Sequence, residues 1–284
     1  TGHWEWHALS SYVLVPLESD PTLIYSMGGT HAEAVRRNVE VAVTDVRHSR
    51  NGRYADIMVE RLRELKLDRG HIGLMEIDPR HADYLPVNQY NVLRENMPDA
   101  ELVFTKGFLH ELLSIHSAEE LDCVRKAGVL CQKAMEAMVA RARPGVKEYE
   151  LRAAAGAAIM DGGGDIDFLI IGSTPMANPA MIFGNPRPSA RVLKKGDIIN
   201  MELAAGYRGY TAQIGSPICV GEPTDMVKNF WNDITLPGYR RIVAEIAPGK
   251  PVEAMRTASK FFRDKGYQSR PTQTHGIDLV TDKP

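Results

Sequence analysis

The stretch Lys194-Lys195-Gly196-Asp197-Ile198-Ile199-Asn200-Met201-Glu202, followed by Gly206-Tyr207-Arg208-Gly209-Tyr210-Thr211-Ala212-Gln213, decides how the rest of the chain is read. It predicts a buried strand, a glycine-rich hairpin turn and a second strand. Side chains alternate between the faces of a strand, so Glu202 shares a face with Asn200, and Gln213 with Thr211. Two facing strands then direct the heads of Glu202 and Gln213 into one cavity. A carboxylate beside an amide in a mostly apolar strand pair costs free energy unless both are satisfied or working.

Upstream, Tyr12-Val13-Leu14-Val15-Pro16-Leu17 reads as a short strand paired with Pro21-Thr22-Leu23-Ile24-Tyr25 across a Glu-Ser-Asp turn. Residues 55–67 place Ile57, Met58, Val59, Leu62 and Leu65 at helical spacing, and Gly70 ends that helix before the strand His71-Ile72-Gly73-Leu74-Met75. A helix over 86–96 and a strand over 101–104 follow. This alternation predicts an α/β domain over residues 1–112, with a second domain over 113–284.

The second domain opens on a capping box, Ser117 with Glu120, ahead of a helix striped by Leu121, Val124, Ala127, Leu130, Ala134 and Met138. Arg143-Pro144-Gly145 stops it. A second helix over 148–160 ends at Gly162-Gly163-Gly164, and Phe168-Leu169-Ile170-Ile171-Gly172 is a buried strand. Residues 242–246 with Pro248-Gly249-Lys250-Pro251-Val252 repeat the helix–Pro-Gly–helix design, which predicts an internal duplication.

The net charge of −2 argues against nucleic acid or an anionic membrane as the main partner. No apolar run is long enough to span a bilayer. Cys123, Cys131 and Cys219 are too few and too unevenly spaced for a disulfide framework or a structural zinc site, which fits a reducing cytoplasm. His3-Trp4-Glu5-Trp6-His7 puts its two histidines about 13 Å apart on one strand face, too far for one metal. It reads as a tryptophan-anchored interdomain or dimer surface.

The block Ser117–Gly128, the duplicated helical unit and the Gly196–Gln213 stretch together resemble the pita-bread family of hydrolases: Xaa-Pro aminopeptidases, prolidases and creatinase. The resemblance implies a ribonuclease-H-like N-terminal domain, a pseudo-twofold pita-bread domain after it, a sequence truncated at both ends, and a homodimer. In the peptidases a Gly-Asp pair is followed by two ligand aspartates, and counting from Gly196-Asp197 their slots fall on Glu202 and Gln213. Gln273-Thr274-His275-Gly276-Ile277-Asp278-Leu279 is similar to the family's H-G-I-G-L motif, whose His ligates metal or touches substrate. The early substrate-facing His is absent; Phe183-Gly184-Asn185-Pro186 stands there, a segment more similar to creatinase than to prolidase.

A two-metal centre needs several carboxylates to offset its charge. Glu202 offers one, and Gln213 only a neutral oxygen. No metal ligand set is therefore assigned and no cofactor is predicted, with Mn, Zn or Fe the alternative if glutamates beyond Pro284 complete a site. Glu202 and His275 are the candidate catalytic pair, the imidazole exchanging a proton near neutral pH. Gln213, Tyr210 and Arg187 are the candidate substrate-binding residues, Arg187 as a carboxylate anchor. Met176, Met181 and Met201 read as core filler along the same strands. A plainer role for Glu202 is an ion pair with Arg208 or Arg191.

The resulting expectation is a hydrolase that cleaves a C–N bond in a short peptide or amino-acid-like small molecule, without the dinuclear centre. The alternatives are a metal-dependent Xaa-Pro aminopeptidase, dipeptidase or lyase on the same fold, and a non-catalytic small-molecule-binding homologue.

Overall fold

The computed structural model describes residues 11–26, 43–76, 84–180 and 187–268, with single positions between 30 and 37. The chain forms two units, Thr1–Ile115 and His116–Pro284.

In the first unit β1 (Tyr12–Leu14) runs antiparallel to β2 (Thr22–Tyr25), and β3 (Asp45–His48) lies parallel to β2. The first strand stops short of Pro16, which has no N–H to donate to a ladder. β3 has too polar a sequence to show periodicity; Thr22 bonds Asp45 and Glu64 grips Arg47, so its partners define it. The strands β4 (His71–Met75) and β5 (Glu101–Thr105) pair in parallel. Around them stand α1 (Tyr54–Glu64), α2 (Val87–Asn96) and α3 (Phe108–Leu113). The helix expected over 55–67 is shorter because Lys66 adopts a left-handed φ of 59°. Ile24, Ile57, Met58, Leu62, Leu74 and Leu93 form the core. Buried Gln89 accepts from Ala55 N–H and donates to Gly52 C=O, satisfying backbone that the core would otherwise strand.

In the second unit α4 (Ala118–Arg141) begins at the expected capping box: Ser117 Oγ accepts from Glu120 N–H, and Glu120 accepts from Ser117 N–H at 2.6 Å. The turn at Pro144-Gly145, with Gly145 at φ 92°, leads into α5 (Glu148–Asp161). Three strands follow in spatial order: β6 (Asp165–Pro175), β7 (Asp197–Tyr207) and β8 (Tyr210–Gly215), all antiparallel; β9 (Ile218–Cys219) pairs with the start of β7. The two-residue turn Arg208-Gly209 has φ of 53° and 86°, positive at both positions as a hairpin matched to strand twist requires. Ile199, Met201, Leu203 and Ala205 of β7 and Leu169 and Ile171 of β6 point to one face, where they pack with Leu130, Ala134, Met138, Leu151 and Ile159 of the two helices. That face is the core. The other face of the sheet carries the site.

The second helical unit repeats the first with one irregularity. α6 (Asp225–Phe230), a π-turn (Trp231–Thr235) and α7 (Leu236–Val243) run on without a break, and α8 (Val252–Asp264) follows after Pro248-Gly249. Pro237 lacks the N–H that an α-helix interior would use, which accounts for the wider turn just before it. Gly249 (φ 81°) matches Gly145, and Gly266 (φ 84°) at the end of α8 matches Gly163 (φ 78°) at the end of α5. The intervals, 18 residues from Gly145 to Gly163 and 17 from Gly249 to Gly266, are those of a duplicated unit. Among the described residues no helix is long and apolar enough to cross a membrane.

Candidate functional site

The hairpin register decides which side chains meet. With Tyr207 paired to Tyr210, Ala204 falls opposite Gln213 and Glu202 opposite Gly215. Glu202 and Gln213 are therefore diagonal neighbours on one face, within reach of long side chains. Gln213 Nε2 donates to Glu202 Oε1. On the other side Glu202 pairs with Ile170, and Asn200 with Gly172. The face thus offers one half-buried carboxylate between an isoleucine and a glycine, with Asn200 exposed beside it and Phe168 and Thr211 half-buried on the flanks. Among the described residues no ion pair joins Glu202 to either arginine considered for it in the sequence; Arg191 is bound to Asp197.

Tyr210 is not brought to this pair. It lies three residues from Gln213, an odd number, so on a strand it projects to the opposite, helix-bearing face. There its hydroxyl donates to Glu120 Oε1 at 2.9 Å, and its ring meets His116 edge-on. The Ser117 N–H, then the Tyr210 hydroxyl, hold the Glu120 carboxyl below its usual range. Arg187 is exposed, two residues before Ser189. Met176 and Met201 are buried, Met201 on the core side. His275, Met181 and the His3–His7 segment lie outside the described residues.

A buried polar cluster stands behind the sheet that the sequence reading did not single out. Glu148, at the start of α5 and 3 % exposed, accepts four hydrogen bonds. Ser173 N–H and Oγ bind one oxygen at 2.8 and 2.6 Å; Ser189 N–H and Oγ bind the other at 3.0 and 2.6 Å. Arg191 also donates to Ser173 Oγ and grips Asp197 with both terminal nitrogens, at 2.8 and 2.9 Å. Burial pushes the Asp197 carboxyl up, but Arg191 and the Lys194 N–H outweigh it and hold the group below its usual range. Glu148 reads in sequence as an ordinary acid in a helix first turn. Its partners lie 25 and 41 residues away, beyond any local pattern.

The donor set can be tested against a pair of divalent cations. Among the described residues no group of three or more His, Cys, Asp or Glu could hold a metal ion. At the two diagonal strand positions, one carboxylate charge meets an amide N–H, which repels a cation. These residues do not fit a dinuclear centre.

Residues 122–284, more than half of the chain, match the model of metallopeptidase family M24. An uncharacterized hydrolase/peptidase of Sinorhizobium fredii is 26% identical over 205 residues, covering 69% of this chain and 51% of that protein. A Xaa-Pro dipeptidase of Pyrococcus furiosus is 24% identical over 177 residues, covering 60% of this chain and 49% of that protein. The chain spans about half the length of the curated relatives it matches. In structure it is similar to the X-Pro aminopeptidase of Thermotoga maritima, with a TM-score of 0.80 at 21% identity, over 96% of this chain and 72% of that one. The α/β architecture is the pita-bread fold, and the chain belongs to metallopeptidase family M24.

Proposed function

We propose that this chain belongs to a hydrolase that cleaves a C–N bond in a small peptide or amino-acid-like substrate, and that it works without a pair of metal ions. The observation that carries this reading is the hydrogen bond from Gln213 to Glu202 on the open face of the sheet. It orients the carboxylate and leaves its second oxygen for a water or a substrate cation. Glu202 takes the proton of the attacking water, the water oxygen adds to the carbonyl carbon, and His275 delivers a proton to the departing nitrogen as the C–N bond breaks. Gln213 keeps Glu202 in place through these steps. Glu202 is the half-buried carboxylate beside Gln213, which suits substrates bearing an ammonium or similar cation nearby. We place the protein in the cytoplasm as a homodimer; the free thiols Cys123, Cys131 and Cys219 fit a reducing compartment.

The test is turnover of a dipeptide panel by the full-length protein with and without chelator. Activity that survives chelation, and falls by about a hundredfold or more in Glu202→Gln, supports the reading. Activity that requires two equivalents of Mn, Zn or Fe per subunit sinks it in favour of a metal-dependent Xaa-Pro peptidase. A second reading, a binding protein without chemistry, draws on the same hydrogen bond, because an amide already occupies one oxygen of the proposed base. In that case Glu202→Gln leaves ligand affinity intact and there is no turnover to lose.

A further inference from the structure

We infer that Glu148 is a positioning residue: from behind the sheet it clasps Ser173 and Ser189, and so holds the described stretch 174–180 that walls one end of the Glu202 face. This rests on the proposal that the Glu202 face is where substrate binds. Ser173 lies two residues before the end of β6 and Ser189 precedes β7, so one carboxylate holds two points with fifteen residues of chain between them. Each oxygen receives a backbone N–H and a hydroxyl, an arrangement of charge-assisted bonds that fixes Ser173 and Ser189 at once. Further bonds hold the chain beside them: Glu148 N–H to Arg191 C=O at 3.1 Å, Leu193 N–H to Val146 C=O at 2.8 Å, and Met176 N–H to Gly196 C=O at 2.8 Å.

Residues 176–180, which follow β6, lie on the side of the sheet that bears the site. Thr174 pairs with Ile198 and Ile170 with Glu202, so Thr174 projects to the same face as Glu202, about 13 Å along the strand. Thr174 Oγ1 accepts the Ala180 N–H at 3.0 Å, so the chain after Pro175 folds back over that face and leaves Thr174 only 5 % exposed. Glu148 itself sits on the helix side and touches nothing that reacts. Its action passes through the serines to a wall against which a substrate is held, and small displacements of such walls weaken productive binding. The carboxylate is also insulated from simple replacement. A Gln at this position would turn an N–H toward donors that need an acceptor, leaving buried N–H groups unpaired.

The test compares wild type, Glu148→Gln and the milder Ser189→Ala by amide hydrogen exchange and by steady-state kinetics with the dipeptide Ala-Pro. The expected result is exchange at least about tenfold faster in residues 174–180 and 187–193, with residues 199–205 of β7 within about twofold of wild type. Alongside it KM rises at least about fivefold and kcat stays within about twofold. Unchanged exchange in those two stretches overturns the inference. So does protection lost equally in β7, which marks a purely structural role, or loosened stretches with KM unmoved. If the wild type leaves Ala-Pro intact, that counts against the substrate proposal, while the exchange comparison still decides whether Glu148 holds them.

Discussion

Arg191 and Asp197 meet end-on in two parallel hydrogen bonds of 2.8 and 2.9 Å, and the Asp197 side chain is only 2% exposed while that of Arg191 is 30% exposed. Asp197 also accepts the Lys194 N–H, so one carboxylate ties the turn before β7 to the strand that follows and to the Glu148 cluster. Removing one partner of such a pair strands the other in a poorly solvated site. Asp197→Asn should cost about 2–4 kcal/mol in urea unfolding at neutral pH, toward the low end because the guanidinium keeps some contact with water.

The same carboxylate gives a direction for pH. Its folded pKa lies below the ordinary value, so the folded state binds fewer protons there than the unfolded state. The stability it contributes is fully present above about pH 4, near the unfolded pKa, and is lost as pH falls further through the folded value. Unfolding midpoints of wild type and Asp197→Asn should therefore converge in acid below about pH 4 and stay separated from pH 5 to 8. A constant gap across the whole range would remove Asp197 from the acid sensitivity.

Much of this architecture was legible because its causes are local. The capping box at Ser117 and Glu120 spans three residues, and the Pro-Gly turns at 144–145 and 248–249 carry their own left-handed glycines. The meeting of Glu202 and Gln213 also follows from a local cause, since a two-residue turn at Arg208-Gly209 sets the register of both strands. By the same parity Tyr210 faces the helices rather than the pocket. Glu148 was illegible for the opposite reason: Ser173 and Ser189 reach it only after the sheet has formed. The strand at Asp45–His48 is likewise defined by its partners rather than by its own pattern.

Gly164 is where α5 gives way to β6 with no room to spare. A Cβ there would lie 2.7 Å from Gly206 C=O and 2.3 Å from a Leu130 methyl. The leucine can turn, but the carbonyl belongs to a strand backbone and cannot. Gly164→Ala should destabilise by about 1–3 kcal/mol through overpacking, measured by thermal or urea unfolding. Gly163→Ala meets no neighbour, and its cost arises instead from the left-handed φ of 78°.

Tyr210→Phe removes the hydroxyl that donates to Glu120 Oε1. Stability should fall only slightly, because the Glu120 carboxylate is open to water and exchanges the lost hydroxyl for solvent. KM for any substrate turned over at Glu202 should stay within about twofold of wild type. A large rise in KM with stability unchanged would return Tyr210 to the binding site.

Gln213→Asp tests the idea that an amide at this position is what keeps a cation away. The substitution replaces a donated N–H by a second carboxylate diagonal to Glu202, so that two like charges face each other on one strand pair. Without a cation the variant should lose about 1 kcal/mol at neutral pH and recover it in mild acid, as one carboxylate takes up a proton. With Mn²⁺ or Zn²⁺ the repulsion becomes a pair of ligands, and calorimetry should detect heat of binding absent from Glu202→Gln/Gln213→Asp, where one charge is missing. Added metal should raise the unfolding temperature of the single variant and leave wild type where it was. If wild type and Gln213→Asp bind the ion equally, the ligands lie elsewhere in the protein and the Glu202–Gln213 pair has no bearing on its metal chemistry.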